Sequence, residues 1–281
     1  MKISKRKAIQ LISCLYAFIL TLIFVVLFIC AGVGFGVLSC RSIRRNINES
    51  NYYNKVYEEL YAKAASEIEE VGLPQAVLKE VITLERVYIS SKNYLEATLN
   101  SEEAVIKTDR INEELKQNLD QYLKAKSVVR SDEINKEIDH LVAMIEEDYK
   151  DAIKLPLISS IMEYRTKFLS AMIYLIPLLI LLAGAFCYFL LKMHHYIHRG
   201  LRFIAYAVIS ASGLIIAMAG YLMITRAYNE VMTEPEYYQS FLRMYLRWDI
   251  TVFLYIGALG LILALVLVSF ISYLKNRLKN N

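Results

Sequence analysis

The sequence predicts an all-α membrane protein, with four transmembrane helices and a mainly helical extracytoplasmic domain between helices one and two. Three observations predict it. Apolar residues make up 56% of the 281, above the roughly 45–50% of a globular chain, yet 21% are charged, so the two kinds are segregated. The apolar residues gather in four blocks, 8–38, 168–191, 203–224 and 250–273. Each is long enough for the about 20 residues a helix needs to cross a bilayer core, and none holds an Asp, Glu, Lys, Arg or His.

The segments between the blocks set the orientation. The N-terminal segment 1–7 carries Lys2, Lys5, Arg6 and Lys7, the link 192–202 carries Lys192, Arg199 and Arg202, and the tail 274–281 carries Lys275, Arg277 and Lys279. These ten basic residues have no acidic companion in the same segments. Such excess marks the cytoplasmic side, which places both termini in the cytoplasm of a multi-pass cell-membrane protein. Residues 39–167 hold 19 basic and 24 acidic residues, and 225–249 hold three and four, so both belong outside.

Helix one ends in "GVLSC". Val37, Leu38, Ser39 and Cys40 resemble a bacterial lipoprotein cleavage box, in which a small residue precedes the cysteine that is lipidated. The apolar run before it far exceeds the roughly 7–15 residues of a signal-peptide core. The block is therefore read as an uncleaved helix with a cysteine at its outer edge. Cys14, Cys30 and Cys187 fall inside apolar blocks and are read as small packing residues. Only Cys40 faces outward, so no disulfide framework is expected within the domain.

Helical periodicity runs through the outer domain, 39–167. Val56, Leu60, Ala64, Ile68 and Val71 recur at spacings of three and four. Gly72 supplies a stop and Pro74 an opening for a short helix with Val77, Leu78 and Val81. Thr83 offers an N-cap to a helix with Leu84, Val87, Tyr88, Tyr94 and Leu95. Residues 100–109 read as a loop. Helices with Ile111, Leu115, Leu119, Tyr122 and Leu123, then with Ile134, Ile138, Leu141, Ile145 and Tyr149, follow, the second capped by Ser131 or Asp132. Pro156 marks a break. Beyond it "LISSIMEYRTKFLSAMIYLIP" reads as one helix entering the membrane, with Pro177 expected to kink it. The cluster Glu146, Glu147, Asp148 and Asp151 lacks the alternating oxygen ligands and central glycine of a calcium loop. It is read as a helix surface, as is His140 beside Asp139.

In the outer segment 225–249, Tyr238, Phe241, Leu242 and Tyr245 recur at helical spacing after Pro235. This predicts an amphipathic helix at the outer interface that ends at Trp248. Tyr245 and Trp248 are the expected membrane-interface anchors.

No nucleotide, hydrolase, kinase or metalloprotease motif is present. The four apolar blocks carry no ionisable group of the kind that carriers and pumps use. Nothing points to nucleic acid, to a cofactor or to catalysis, and the expected class is non-enzymatic. Small residues four apart, Gly32 with Gly36, Gly213 with Ala217 and Gly260 with Ala264, are expected to let helices pack closely within the bundle or between copies of the chain.

The one constellation with metal-ligand character is "LKMHHYIHRG", with His194, His195 and His198. His194 and His198 are four apart and share a face on a helix. A stable zinc site uses four ligands, or three and a water, and no cytoplasmic segment supplies an acidic partner. The three histidines are weak candidates for a metal and are read as part of a basic turn at the headgroups, charging below about pH 6.5.

The run "VYEELYAKAASEIEEVGLPQAVLKEVITLERVYISSKNYLEATLN", with its "GLP…V…T…V" pattern, resembles the first-loop domain of uncharacterised four-span membrane proteins of Gram-positive bacteria. That resemblance covers about a sixth of the chain and implies no activity. The topology is also similar to FtsX- and MacB-type ABC-system membrane subunits, which place a large outer domain between spans one and two. Those couple to an ATPase through a cytoplasmic element between spans two and three, where this chain has about ten residues. The expected function is an envelope binding or sensing module, with the lipid bilayer and an envelope protein or cell-wall component as partners. A permease-like subunit working with a separate ATPase is the alternative.

Overall fold

Helices account for every regular element among the described residues of the computed structural model, which are 5–127, 131–194, 196–231 and 234–280. Lys2 and His195 lie outside them. In chain order the helices are α1 (Lys5–Phe35), α2 (Cys40–Glu49), α3 (Tyr52–Glu70), α4 (Leu84–Leu99), α5 (Asp109–Ala125), α6 (Asp132–Ile153), α7 (Pro156–Met193), α8 (Ile197–Thr225) and α9 (Glu236–Asn280). Single 3-10 turns occupy Gln75–Leu78 and Ala227–Asn229. Four helices, α1, α7, α8 and α9, contain stretches long and apolar enough to cross a membrane.

The chain divides into two units. The first comprises Met1–Ser42, Arg165–Met232 and Leu242–Asn281, the second Ile43–Tyr164 and Thr233–Phe241. The first unit is the apolar one. Leu20 and Ile23 of α1, Ala183 and Leu190 of α7, and Ile204 and Ala207 of α8 form a buried cluster. Glycines let α1, α8 and α9 approach closely. A Cβ on Gly32 would enter the Phe253 ring, and one on Gly260 would meet Ser212 Oγ and lie 3.0 Å from Phe28. α7 and α8 also approach closely at a glycine. A Cβ on Gly200 would lie 2.7 Å from the Leu190 carbonyl oxygen and 3.0 Å from Leu191 Cα.

The second unit is a bundle of α3, α4, α5 and α6. Its core takes Val56, Leu60 and Ile68 from α3, Val87 and Leu95 from α4, Leu115 and Leu119 from α5, and Ile145 and Tyr149 from α6. Truncating a fully buried leucine such as Leu115 to alanine costs about 2–5 kcal/mol. The ends of these helices follow local chemistry. Gly72, at φ +77°, closes α3: its N–H bonds Glu69 O at 2.9 Å and Leu73 N–H bonds Ile68 O at 3.0 Å. That pair of bonds satisfies carbonyls the helix leaves open, and only glycine adopts the turn without strain. Thr83 and Ser131 cap α4 and α6, each accepting from the N–H three residues on, at 3.3 Å.

Two local expectations changed. The short helix expected over Val77, Leu78 and Val81 is only a 3-10 turn, Gln75–Leu78, with all three side chains still buried. The helix expected to end at Trp248 instead continues through the apolar block as α9. No proline, glycine or cap stands at 248–250 to stop it. Its first turns, Tyr237 to Phe241, belong to the second unit. There Tyr52 meets the rings of Tyr53, Tyr237 and Phe241 at 5.4–6.0 Å. Tyr238 Oη accepts from Leu157 N at 3.2 Å, and Tyr237 Oη donates to Ala152 O at 3.3 Å.

Candidate functional site

The second unit carries an apolar cleft of about 400 Å³. The end of α3 and the residue after Gly72 contribute Val71 and Leu73, α5 contributes Leu119 and Leu123, and α6 contributes Ile138 and Leu141. Glu137 and His140, both exposed, add an acid and an imidazole to the lining. Apolar walls with few polar groups are the common build of a small-ligand pocket. The sequence placed Ile138 and Leu141 on one stripe of α6 and left His140 on the surface. What it did not show is that the α3 stop brings Val71 alongside them.

Elsewhere in the second unit several charged residues are paired. Arg86 of α4 holds Glu114 of α5 at 2.7 Å, and Arg110 reaches the same carboxylate at 2.8 Å. Arg44 grips both oxygens of Glu96 at 2.6–3.1 Å. In the acidic cluster, Glu146 accepts from Lys150, and from Thr108 Oγ1 and Asn112 Nδ2 at 2.6 Å. Lys150 first, then Thr108 and Asn112, draw its carboxyl down to about 2. Asp148 is held by Lys63 at 2.7 Å and Asp151 by Lys154 at 2.8 Å. Glu146 and Asp148 thereby tie α6 to α5 and α3, and among the described residues the cluster forms no metal site.

One carboxyl pair between α3 and α6 differs. Glu67 Oε2 and Asp148 Oδ2 are both buried, and among the described residues neither meets a donor. Two carboxyls desolvated together disfavour double ionisation and favour a shared proton. Desolvation first, and then Asp148, push Glu67 up to about 7.

The histidines are separated by their partners. His194 Nε2 lies 3.1 Å from Ser13 Oγ on α1, and its ring stacks on Phe203 at 5.4 Å. Burial, and then Arg199, hold its imidazole below the usual range. It therefore charges at a lower pH than an exposed histidine. His198 stacks on Tyr196 at 5.5 Å, and among the described residues its buried Nδ1 has no hydrogen-bond partner. Among the described residues no three of His, Cys, Asp and Glu converge as a metal site.

The small residues fall into two groups. Gly32, Gly36, Gly260 and Ala264 lie in packed seams of the first unit. Gly213 has nothing within 4 Å of a built Cβ, and Ala217 is exposed. Tyr245 is 2% exposed and its hydroxyl donates to Val37 O, while Trp248 is half-buried.

Sequence reasoning missed Asp249. It counted as one acidic residue of an outer segment, yet it is 4% exposed. A signal existed: Phe241, Tyr245, Asp249 and Val252 fall on one helical stripe, and the other three are apolar or aromatic.

Compared with known proteins, the chain matches no family model, no curated protein and no solved structure. Four apolar helices long enough to span place it in the class of multi-pass membrane proteins.

Proposed function

We propose that this protein is a non-enzymatic envelope sensor of the cell membrane. Both termini are cytoplasmic, and the second unit lies outside and binds an envelope protein or cell-wall component. The cleft under α6 takes an apolar group of that partner. Binding reaches the membrane as strain along α7.

The observation that carries this reading is the unbroken course of α7 from Pro156 to Met193, 38 residues. At 1.5 Å per residue it is about 57 Å long. It gives 156–164 to the second unit and 165–193 to the first. A continuous helix moves as one piece where a loop would absorb the motion. Hydrogen exchange on the full-length protein tests it. Amides 164–170 are expected to be as protected as those on either side, and a fast-exchanging stretch there ends the transmission idea.

The permease-like alternative needs a cytoplasmic coupling element between α7 and α8. That link is three residues, 194–196, which favours the sensor. Recovery of an ATPase whose binding depends on residues 194–202 would reverse the preference.

A further inference from the structure

Asp249 lies where a charge is hardest to keep. It is 4% exposed, and among the described residues neither carboxylate oxygen has a hydrogen-bond partner. Oδ1 is directed at Gly36, where a built Cβ would stand 3.2 Å from it and 3.7 Å from Val252 Cβ. The chain leaves α1 at this point in a tight turn, with Leu38 N bonded to Val33 O at 2.9 Å and Ser39 N to Gly36 O at 3.0 Å. Glycine at position 36 is what lets the carboxyl reach this turn.

Two donors in the same layer bond backbone. Tyr245, one turn earlier on α9, donates to Val37 O, and Arg165 Nε of α7 donates to Leu38 O at 3.0 Å. Cys40 neighbours the Tyr245 hydroxyl. Arg243 and Arg247 project from other sides of α9, six and two residues away. α1 offers no charged side chain near Gly36. Among the described residues no cation is paired with this carboxylate. Burying a lone carboxylate costs far more than burying the neutral acid, so such a group takes up a proton. The acid then has an O–H to donate.

We propose that Asp249 is a proton-binding site: proton uptake closes the seam between residues 33–38 and α9, and proton release admits water and loosens it. This site is separate from the cleft of the second unit, and its failure would leave the sensor reading standing.

The test uses full-length protein in lipid nanodiscs. Infrared difference spectra between pH 5.5 and pH 9 read protonated carboxyls directly. A band of aspartic acid is expected to disappear on raising the pH, to shift with 13C-aspartate labelling and to be missing in Asp249→Asn. Hydrogen exchange then compares wild type and Asp249→Asn at the same pH, so that intrinsic exchange cancels. At pH 9 the amides of residues 36–38 are expected to be about ten-fold less protected in wild type, with the two proteins equal at pH 5.5. Absence of a label-shifted aspartic acid band in that interval overturns the proposal. That outcome is read on wild type and needs no variant to fold. Equal protection of the two proteins at both pH values overturns the closing of the seam.

Discussion

A methyl group at position 200 has no room, because backbone of α7 occupies the space it would need. Backbone cannot swing aside as a side-chain tip can. Gly200→Ala is expected to cost about 1–3 kcal/mol and to lower the melting temperature in detergent. Gly213→Ala supplies the contrast, since open space surrounds that position. There, alanine gains up to about 1 kcal/mol of helix preference, so the melting temperature holds or rises. If the two substitutions behaved alike, the α7–α8 approach would not be as close as described. Glu67 gives a pH prediction. Its folded value of about 7 lies above the unfolded value of about 4.3. A raised value means that its contribution is fully present below pH 4.3 and is lost as pH rises through 7. Glu67→Gln is therefore expected to raise the melting temperature by a few degrees at pH 8 and to leave it unchanged at pH 4. A stabilisation independent of pH would rule out the shared proton.

At the scale of elements, local chemistry was legible and long-range partners were not. Thr83, Ser131 and Gly72 announce the ends of α4, α6 and α3 by residue type alone, and the structure uses each one. Thr83→Ala is expected to cost about 1 kcal/mol and to speed exchange at the amides of residues 84–86. Unchanged exchange there would show that the cap contributes nothing. The stripe Val56, Leu60, Ala64, Ile68 and Val71 was readable because its period matches the helix; the first four are buried, and Val71, just past the end of α3, is exposed. The continuation of α9 past Trp248 was not, because an amphipathic stretch followed by an apolar one looks like two helices when each is scored alone. Asp249 was lost at that same join, divided between a polar segment and a membrane block. The cleft was hidden for another reason. Its walls come from α3, α5 and α6, up to about 70 residues apart in sequence, and periodicity says nothing about which stripes face each other.

For the whole molecule, charge and hydrophobicity carry opposite tasks. The apolar helices supply the stretches long enough to cross, and in the proposed orientation the ten basic residues of the short segments face the cytoplasm. Impermeant thiol reagents on intact cells check this in a background without native cysteines. Asn93→Cys on α4 is expected to react from outside, and Asn276→Cys on the tail only after the membrane is opened. Labelling of position 276 in intact cells would invert the orientation. The second unit also contains a segment from far along the chain, for Tyr237 and Phe241 complete the ring of aromatics around Tyr52. That has a consequence for biogenesis. The ribosome finishes residue 164 and must add 77 more before Phe241 exists. At roughly 5–20 residues per second, this leaves on the order of ten seconds in which the nascent domain has its helices but not its last aromatic wall. During that interval Tyr52 is an uncovered apolar surface, and a holding chaperone has a defined place to bind.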